Sequence, residues 1–177
     1  MAVSIIQLRS RPSAAVRDVP PGLPAANELC SACVDLLGVD GAAISVMSEG
    51  ASHGTFGSSN AVSRRLDEYQ FTFGEGPCID AAMARKPILA ADLNLGTEQR
   101  WPAFSGAVLG DGIQAVFALP VMLASVCVGA LDLFRQSVGP LRGDALAGSL
   151  LASTICWTMS AREPTQIWKP SGLLLLT

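Results

Sequence analysis

The side chains with most chemistry to offer are five cysteines and one histidine, and their spacing limits what they can do. Cys78 follows Gly74-Glu75-Gly76-Pro77. Two glycines free the backbone there, and Pro77 suits the first position of a helix, where its missing N–H costs nothing. Cys78 then falls in the first helical turn, where exposed N–H groups and the helix dipole favour a thiolate. Glu75 and Asp80 lie close in sequence, and their negative charge pushes the other way. Of the two roles this leaves, reactive thiol or small loop-filling side chain, packing is the simpler. Cys30-Ser31-Ala32-Cys33 has C-x-x-C spacing, but no second cysteine pair or histidine follows at zinc-site distance. Core packing is expected for that pair, and no metal ligands are assigned.

His53, the single histidine, has no G-x-S-x-G or comparable nucleophile turn to serve. Haem ligation is the chemistry left to it, and exposure on a weak strand is the plainer reading. Gly74-Glu75-Gly76 lacks the Lys-Ser/Thr ending of a phosphate-binding loop. Asp67-Glu68 reads as a solvated helix face. Trp101 and Phe104, on one short helix, would either plug the core or roof a cavity. None of these residues is expected to be catalytic, and they point to no particular cofactor.

The elements that position these residues follow from periodicity. A helix is expected over 24–37, with Leu29, Cys33, Leu36 and Leu37 on one face and Gly38 as its stop. Strands over 42–47 and 52–58 flank a turn containing Gly50. A polar, surface-lying helix follows over 61–69, then a helix over 77–85 that stops before Pro87. A short strand over 88–91 and a short helix over 101–110 lead to two apolar strands, 113–123 and 126–134. The closing helix, 143–161, stacks Leu146, Leu150, Ile155 and Met159. Tight turns between consecutive strands imply antiparallel pairing. The fold class is therefore α+β, with a central antiparallel sheet of five or six strands flanked by helices.

Bulk properties bound the partners. Hydrophobic residues make up 50% and charged residues 15%, for a net charge of −3. The mean hydropathy is +0.40 and the isoelectric point 5.0. Such low charge leaves apolar surface that a subunit interface would cover. With no basic stripe, nucleic acid is a poor partner. The uncharged run 113–131 is long enough to span a bilayer, yet Pro120 near its middle and Leu123-Ala124-Ser125 suit two strands folded back on each other, so no membrane span is expected. Odd cysteine usage and the lack of a secretory pattern point to the cytoplasm.

Several short motifs carry a resemblance together. Phe73-Gly74-Glu75-Gly76-Pro77-Cys78-Ile79-Asp80-Ala81, Asp92-Leu93, Arg100-Trp101-Pro102-x-Phe104, Gly112-Ile113, Ala118-Leu119-Pro120 and Val128-Gly129-Ala130-Leu131-x-Leu133 occur in that order. The chain resembles the GAF domains of actinobacterial regulators over 23–161, with an N-terminal arm (1–22) expected to be mobile and a C-terminal tail (162–177). In that family a GAF domain often precedes an RNA-binding ANTAR domain; only 16 residues follow Ala161, too few for that unit, so the ANTAR half is expected to be lacking.

The resemblance implies a non-enzymatic sensory or regulatory module in signal transduction or transcription control. A small ligand, if bound, would be lined by Phe73, Cys78, Trp101 and Phe104. The terminal helices would form a homodimer, and the output would pass to a separate protein. The alternative is a thiol-based redox sensor or reductase centred on Cys78, related to free methionine-(R)-sulfoxide reductase, another GAF-fold protein. That chemistry needs further thiols close by, and 104–116 holds none.

Overall fold

The computed structural model describes residues 19–20, 22–48, 51–94 and 99–160, with side chains for all of these except 48, 51–53 and 157–160. Among them are five helices and five strands. In chain order these are α1 (Leu23–Leu37), β1 (Gly41–Ser48), β2 (Ala51–Ser58), α2 (Ala61–Phe73), α3 (Pro77–Ala84) and β3 (Ile88–Ala90). Next come α4 (Pro102–Gly110), β4 (Ala115–Leu123), β5 (Val126–Arg135) and α5 (Gly143–Ser160). The strands form one antiparallel sheet in the order β2-β1-β5-β4-β3.

Side-chain alternation along the strands builds two cores, one on each face of the sheet. Ala42 and Ile44 of β1, Phe117 and Leu119 of β4, and Leu131 and Leu133 of β5 pack against Leu29, Cys30 and Cys33 of α1 and Ala152 and Cys156 of α5. The intervening residues, Met47, Val116, Ala118, Ala130 and Phe134, face α2, α3 and α4. With both faces covered, β4 reads as a nearly unbroken apolar run, the pattern of a strand buried on both sides. The uncharged stretch is thus two paired strands, running from Ala115↔Arg135 to Leu123↔Val126. No helix among the described residues is long and apolar enough to cross a membrane. Pro120 is tolerated because β3 pairs only from Val116 to Ala118 of β4 and asks nothing of its missing N–H.

Several expectations need correction. Helix α2 runs one turn past Tyr69 and is not a surface-lying helix: Ser63, Leu66, Asp67 and Gln70, at helical spacing, are all buried. Asp67 is consequently no part of a solvated face, although Glu68 is exposed. On α5, Leu146 and Ile155 pack against the α1 core as expected, but Leu150 lies outside at 43% exposure, and the buried positions include Ser149, Ala152, Ser153 and Cys156. Small residues face the sheet there, which lets α5 pack closely against it. Cys30 and Cys33 are free, buried thiols, with burial pushing Cys33 up to about 12, so the C-x-x-C pair is core. The arm is outside the described residues except at 19–20 and 22, where Val19 packs against the α1 core. The tail, the Gly50 turn and the side chains of His53 and Met159 also lie outside them.

Truncating Leu133, fully buried between the sheet and the α1–α5 layer, should cost about 2–5 kcal/mol as Leu133→Ala. Met83→Ala, on the exposed side of α3, should stay within about 0.5 kcal/mol. Urea unfolding of the two variants measures both values, and similar costs would contradict the packing described.

Candidate functional site

The face of the sheet under α2 and α3 carries buried polar side chains that the apolar pattern does not foreshadow. Ser45 of β1 and Thr55 of β2 are cross-strand partners, and both reach up to Asp67 of α2. The Ser45 hydroxyl donates to Asp67 Oδ1 and the Thr55 hydroxyl to Asp67 Oδ2, each at 2.5 Å. One turn along α2, the Gln70 amide spans the middle of the cluster. Its Nε2 donates to Asp132 Oδ2 of β5 at 2.6 Å, and its Oε1 accepts the Cys78 backbone N–H at 2.8 Å. Asp67, Gln70, Cys78 and Asp132 are all buried. Asp132 Oδ1 has no hydrogen-bond partner.

The local sequence explains why these groups converge. Asn60 caps α2 by accepting the Ser63 N–H, and Gly74 closes it by donating its N–H to Gln70 O. Gly76, at φ 145°, passes so close to Gln70 that a Cβ would run into the amide, so glycine there lets α3 start directly over it. Gly129 serves the sheet similarly, since a Cβ on it would strike the Ser45 carbonyl.

Two carboxylates, Glu75 of the α2–α3 loop and Asp80 of α3, then tie α4 down. Glu75 Oε1 accepts the N–H groups of Ala103 and Phe104, at 2.7 and 2.9 Å, and so caps α4 from a distance. Asp80 Oδ2 accepts the Trp101 indole N–H at 3.1 Å, while the Arg100 guanidinium lies 4.1 Å from the centre of the Trp101 ring.

The electrostatics follow from burial. Desolvation, then the Asp67 charge, push Asp132 well above the usual carboxylate range, against the hydrogen bond from Gln70. Desolvation also raises Asp67, opposed by Ser45 and Thr55. Burial holds the Cys78 thiol well above its usual value, followed by the charges of Asp132 and Asp67. The position in the first turn of α3 is overruled: Cys78 is held as a thiol, a poor nucleophile.

No protein-family model and no curated protein matches the sequence. Solved structures do match. The GAF domain of a phosphoenolpyruvate-protein phosphotransferase from Coxiella burnetii has a TM-score of 0.69 at 15% identity, covering 89% of this chain and 93% of that one. The fold is that of a GAF domain. An nlh2 GAF domain from A. aeolicus in an inactive state gives a TM-score of 0.62 at 12% identity, over 90% of this chain and 97% of that chain. The reduced fRMsr (free methionine-R-sulfoxide reductase) of Staphylococcus aureus gives 0.67 at 10% identity, over 89% and 96%.

Within this GAF fold the four residues expected to line a ligand lie in three different surroundings. Trp101 and Phe104 meet edge to face at 6.4 Å and are buried, at 1% and 0% exposure, in the cluster with Leu66, Ile113 and Phe134. Cys78 belongs to a neighbouring cluster with Met47, Ala81 and Ala130. Phe73 ends α2, is 41% exposed and stacks on Tyr69 at 5.8 Å. Sequence reasoning missed Ser45, Thr55, Asp67, Gln70 and Asp132. One signal for the last was available: Asp132 is flanked by Leu131 and Leu133 at the end of an uncharged run, a charge in the middle of a buried strand.

A carboxyl raised by folding lends its stability in full below its unfolded pKa of about 4. That stability is lost as pH rises through the folded value. Asp132→Asn removes the loss, so the variant should gain on the parent as pH rises above about 4. Urea unfolding in EDTA-containing buffer reads the difference, and a gap that stays flat or narrows with pH contradicts the assignment.

Proposed function

We propose that this chain is a non-enzymatic sensory or regulatory module of the actinobacterial GAF type, responsive to a small molecule held between the sheet and the α2–α4 layer. The observation that carries the reading is the sealed polar cluster under α2 and α3, with one carboxylate oxygen of Asp132 left without a partner. Scaffolding alone gives no reason to bury such a group, because a well-packed apolar residue would be at least as stable. Trp101 and Phe104, latched by Asp80 and Glu75, form the wall that would part to admit the ligand beside Cys78, with Phe73 at the outer end of α2. Cys78 supports the non-enzymatic reading, since a buried thiol kept protonated by burial and two acids is unsuited to attack a sulfoxide.

The response would travel to α1 and α5 on the other face. Leu23 of α1 and Leu150 of α5 are exposed, in keeping with a homodimer formed by these terminal helices. A cytoplasmic partner protein would receive the output, with neither nucleic acid nor membrane engaged. A ligand shifts such an equilibrium only by its different affinity for the two arrangements.

Protein purified from its natural host and then denatured should release a defined organic small molecule, identified by mass spectrometry. Phe104→Ala should lower the recovered amount by about tenfold or more, the equivalent of about 1.4 kcal/mol of lost contact. The parent should sediment as a dimer, and a Leu23→Glu/Leu150→Glu variant as a monomer. A ligand-free parent that is also monomeric would end the proposal.

A further inference from the structure

The polar cluster contains more than a ligand pocket requires. Asp67 from α2, Cys78 from α3 and Asp132 from β5 each bring one donor atom into a group whose members lie within 4.8 Å of one another, all three residues being buried. Among the described residues, no Lys, Arg or His side chain forms an ion pair with either acid. We propose that Asp67, Cys78 and Asp132 are the protein ligands of a divalent first-row transition cation of the Zn²⁺ or Fe²⁺ class.

The hydrogen bonds around the three donors are arranged as the outer partners of metal ligands are. Asp132 has one oxygen, Oδ2, fixed by Gln70, while Oδ1 remains buried and unpartnered. A monodentate carboxylate ligand needs this division, one oxygen oriented by the protein and the other presented to the ion. Ser45 and Thr55 each donate to one oxygen of the Asp67 carboxylate, so Asp67 would meet the ion through the second lone pair of an oxygen that already accepts a hydrogen bond. Gln70 also anchors the backbone of Cys78, so a single amide positions two of the three ligands.

The donor set selects the class of ion. A thiolate with two carboxylates is too soft for Mg²⁺ or Ca²⁺, which take oxygen alone, and suits Zn²⁺, Fe²⁺ or Co²⁺. Bonds of about 2.0–2.3 Å place tetrahedral ligands about 3.3–3.8 Å apart, so the cluster closes with shifts of about 1 Å. Three protein ligands leave a coordination position for water or a further molecule. On binding, the Cys78 thiol and whichever acid is protonated release their protons to solvent, so affinity rises with pH. The cation also removes the mutual repulsion of buried acids. Because all three ligands are covered, uptake requires α3 to lift from the sheet, and loading should be slow. This inference draws on the same unpartnered Asp132 oxygen as the proposed function, but its test reads cation binding alone, whether or not the module transmits anything.

The test uses the full chain, reduced and stripped with EDTA, then titrated with Co²⁺. The parent should bind one equivalent, with visible d–d bands of four-coordinate strength and a thiolate-to-cobalt charge-transfer band in the near ultraviolet. Zn²⁺ should displace the cobalt, bleach the bands and raise the melting temperature. Cys78→Ser should lose the charge-transfer band, and Cys127→Ser, altering the one cysteine that is only partly buried, should keep it. Asp132→Asn, checked for folding by circular dichroism, should weaken binding at least about a hundredfold. Failure of the parent to bind one equivalent overturns the proposal. So does a charge-transfer band that survives in Cys78→Ser or disappears in Cys127→Ser.

Discussion

The Gln70 side chain is the constraint around which the site is organised. It is buried between α2, α3 and β5, where each polar atom must find a partner or incur a penalty of about 1–3 kcal/mol. It meets this demand in two directions, donating to Asp132 and accepting from Cys78 N. The first bond ties α2 to the sheet, and the second fixes where α3 begins. Glycine at 76 follows, because the amide occupies the space a Cβ would need. With α3 set, Asp80 is set too, and through it Trp101. A short chain of hydrogen bonds thereby runs from the middle strand of the sheet to the outermost helix.

The two faces of the sheet are built on different principles. Under α1 and α5 the contacts are Leu, Ile, Phe, Ala and Cys side chains, whose attraction is non-directional and tolerant of small shifts. Under α2 and α3 the contacts include directional bonds between acids, hydroxyls and an amide. Such a network is rigid when every member is satisfied and costly when one is not. Asp132 Oδ1 is that unsatisfied member, and the accumulated negative charge around it makes the polar face the one sensitive to protonation or to an added cation. The apolar face supplies the stability that allows this.

The elements were legible in the sequence for a physical reason. Strands β4 and β5 and helices α1 and α3 advertise themselves through apolar period, Pro77 and Gly38, and those signals are local. The motif at 73–81 and the motif at 100–104 were visible as strings, but not their meeting. Glu75 reaches the N-terminus of α4 across 28 residues of chain, and no periodicity encodes a long-range cap. Asp67 and Gln70 were hidden because the buried face of α2 is polar, so hydrophobic spacing describes it as solvated. The correct spacing was present at 63, 66, 67 and 70, carried by Ser, Leu, Asp and Gln. Burial there is decided by partners on β1, β2 and β5, which only the fold brings near. Leu150 fails in the opposite sense, an apolar residue turned outward because Ser149, Ala152 and Ser153 give α5 a flatter face to lay on the sheet.

The strands connect the two faces. On β5, Asp132 points to the polar cluster, while Leu131 and Leu133, its immediate neighbours, pack into the α1–α5 core. On β1, Ser45 faces Asp67, and Ile44 faces the opposite way. A strand segment is stiff along its length, because its neighbours on both sides hold its backbone in register. Any event that redraws the bonds of Asp132 must therefore be accommodated by Leu131 and Leu133 or resisted by them. The central strands are fully paired, whereas α3 has only eight residues and is tied to Gln70 by a single hydrogen bond, from the Cys78 N–H. Whatever reaches the second layer must pass through β5 and β1 as a strain on apolar packing, and interdigitated cores answer strain by repacking between discrete arrangements rather than by bending smoothly.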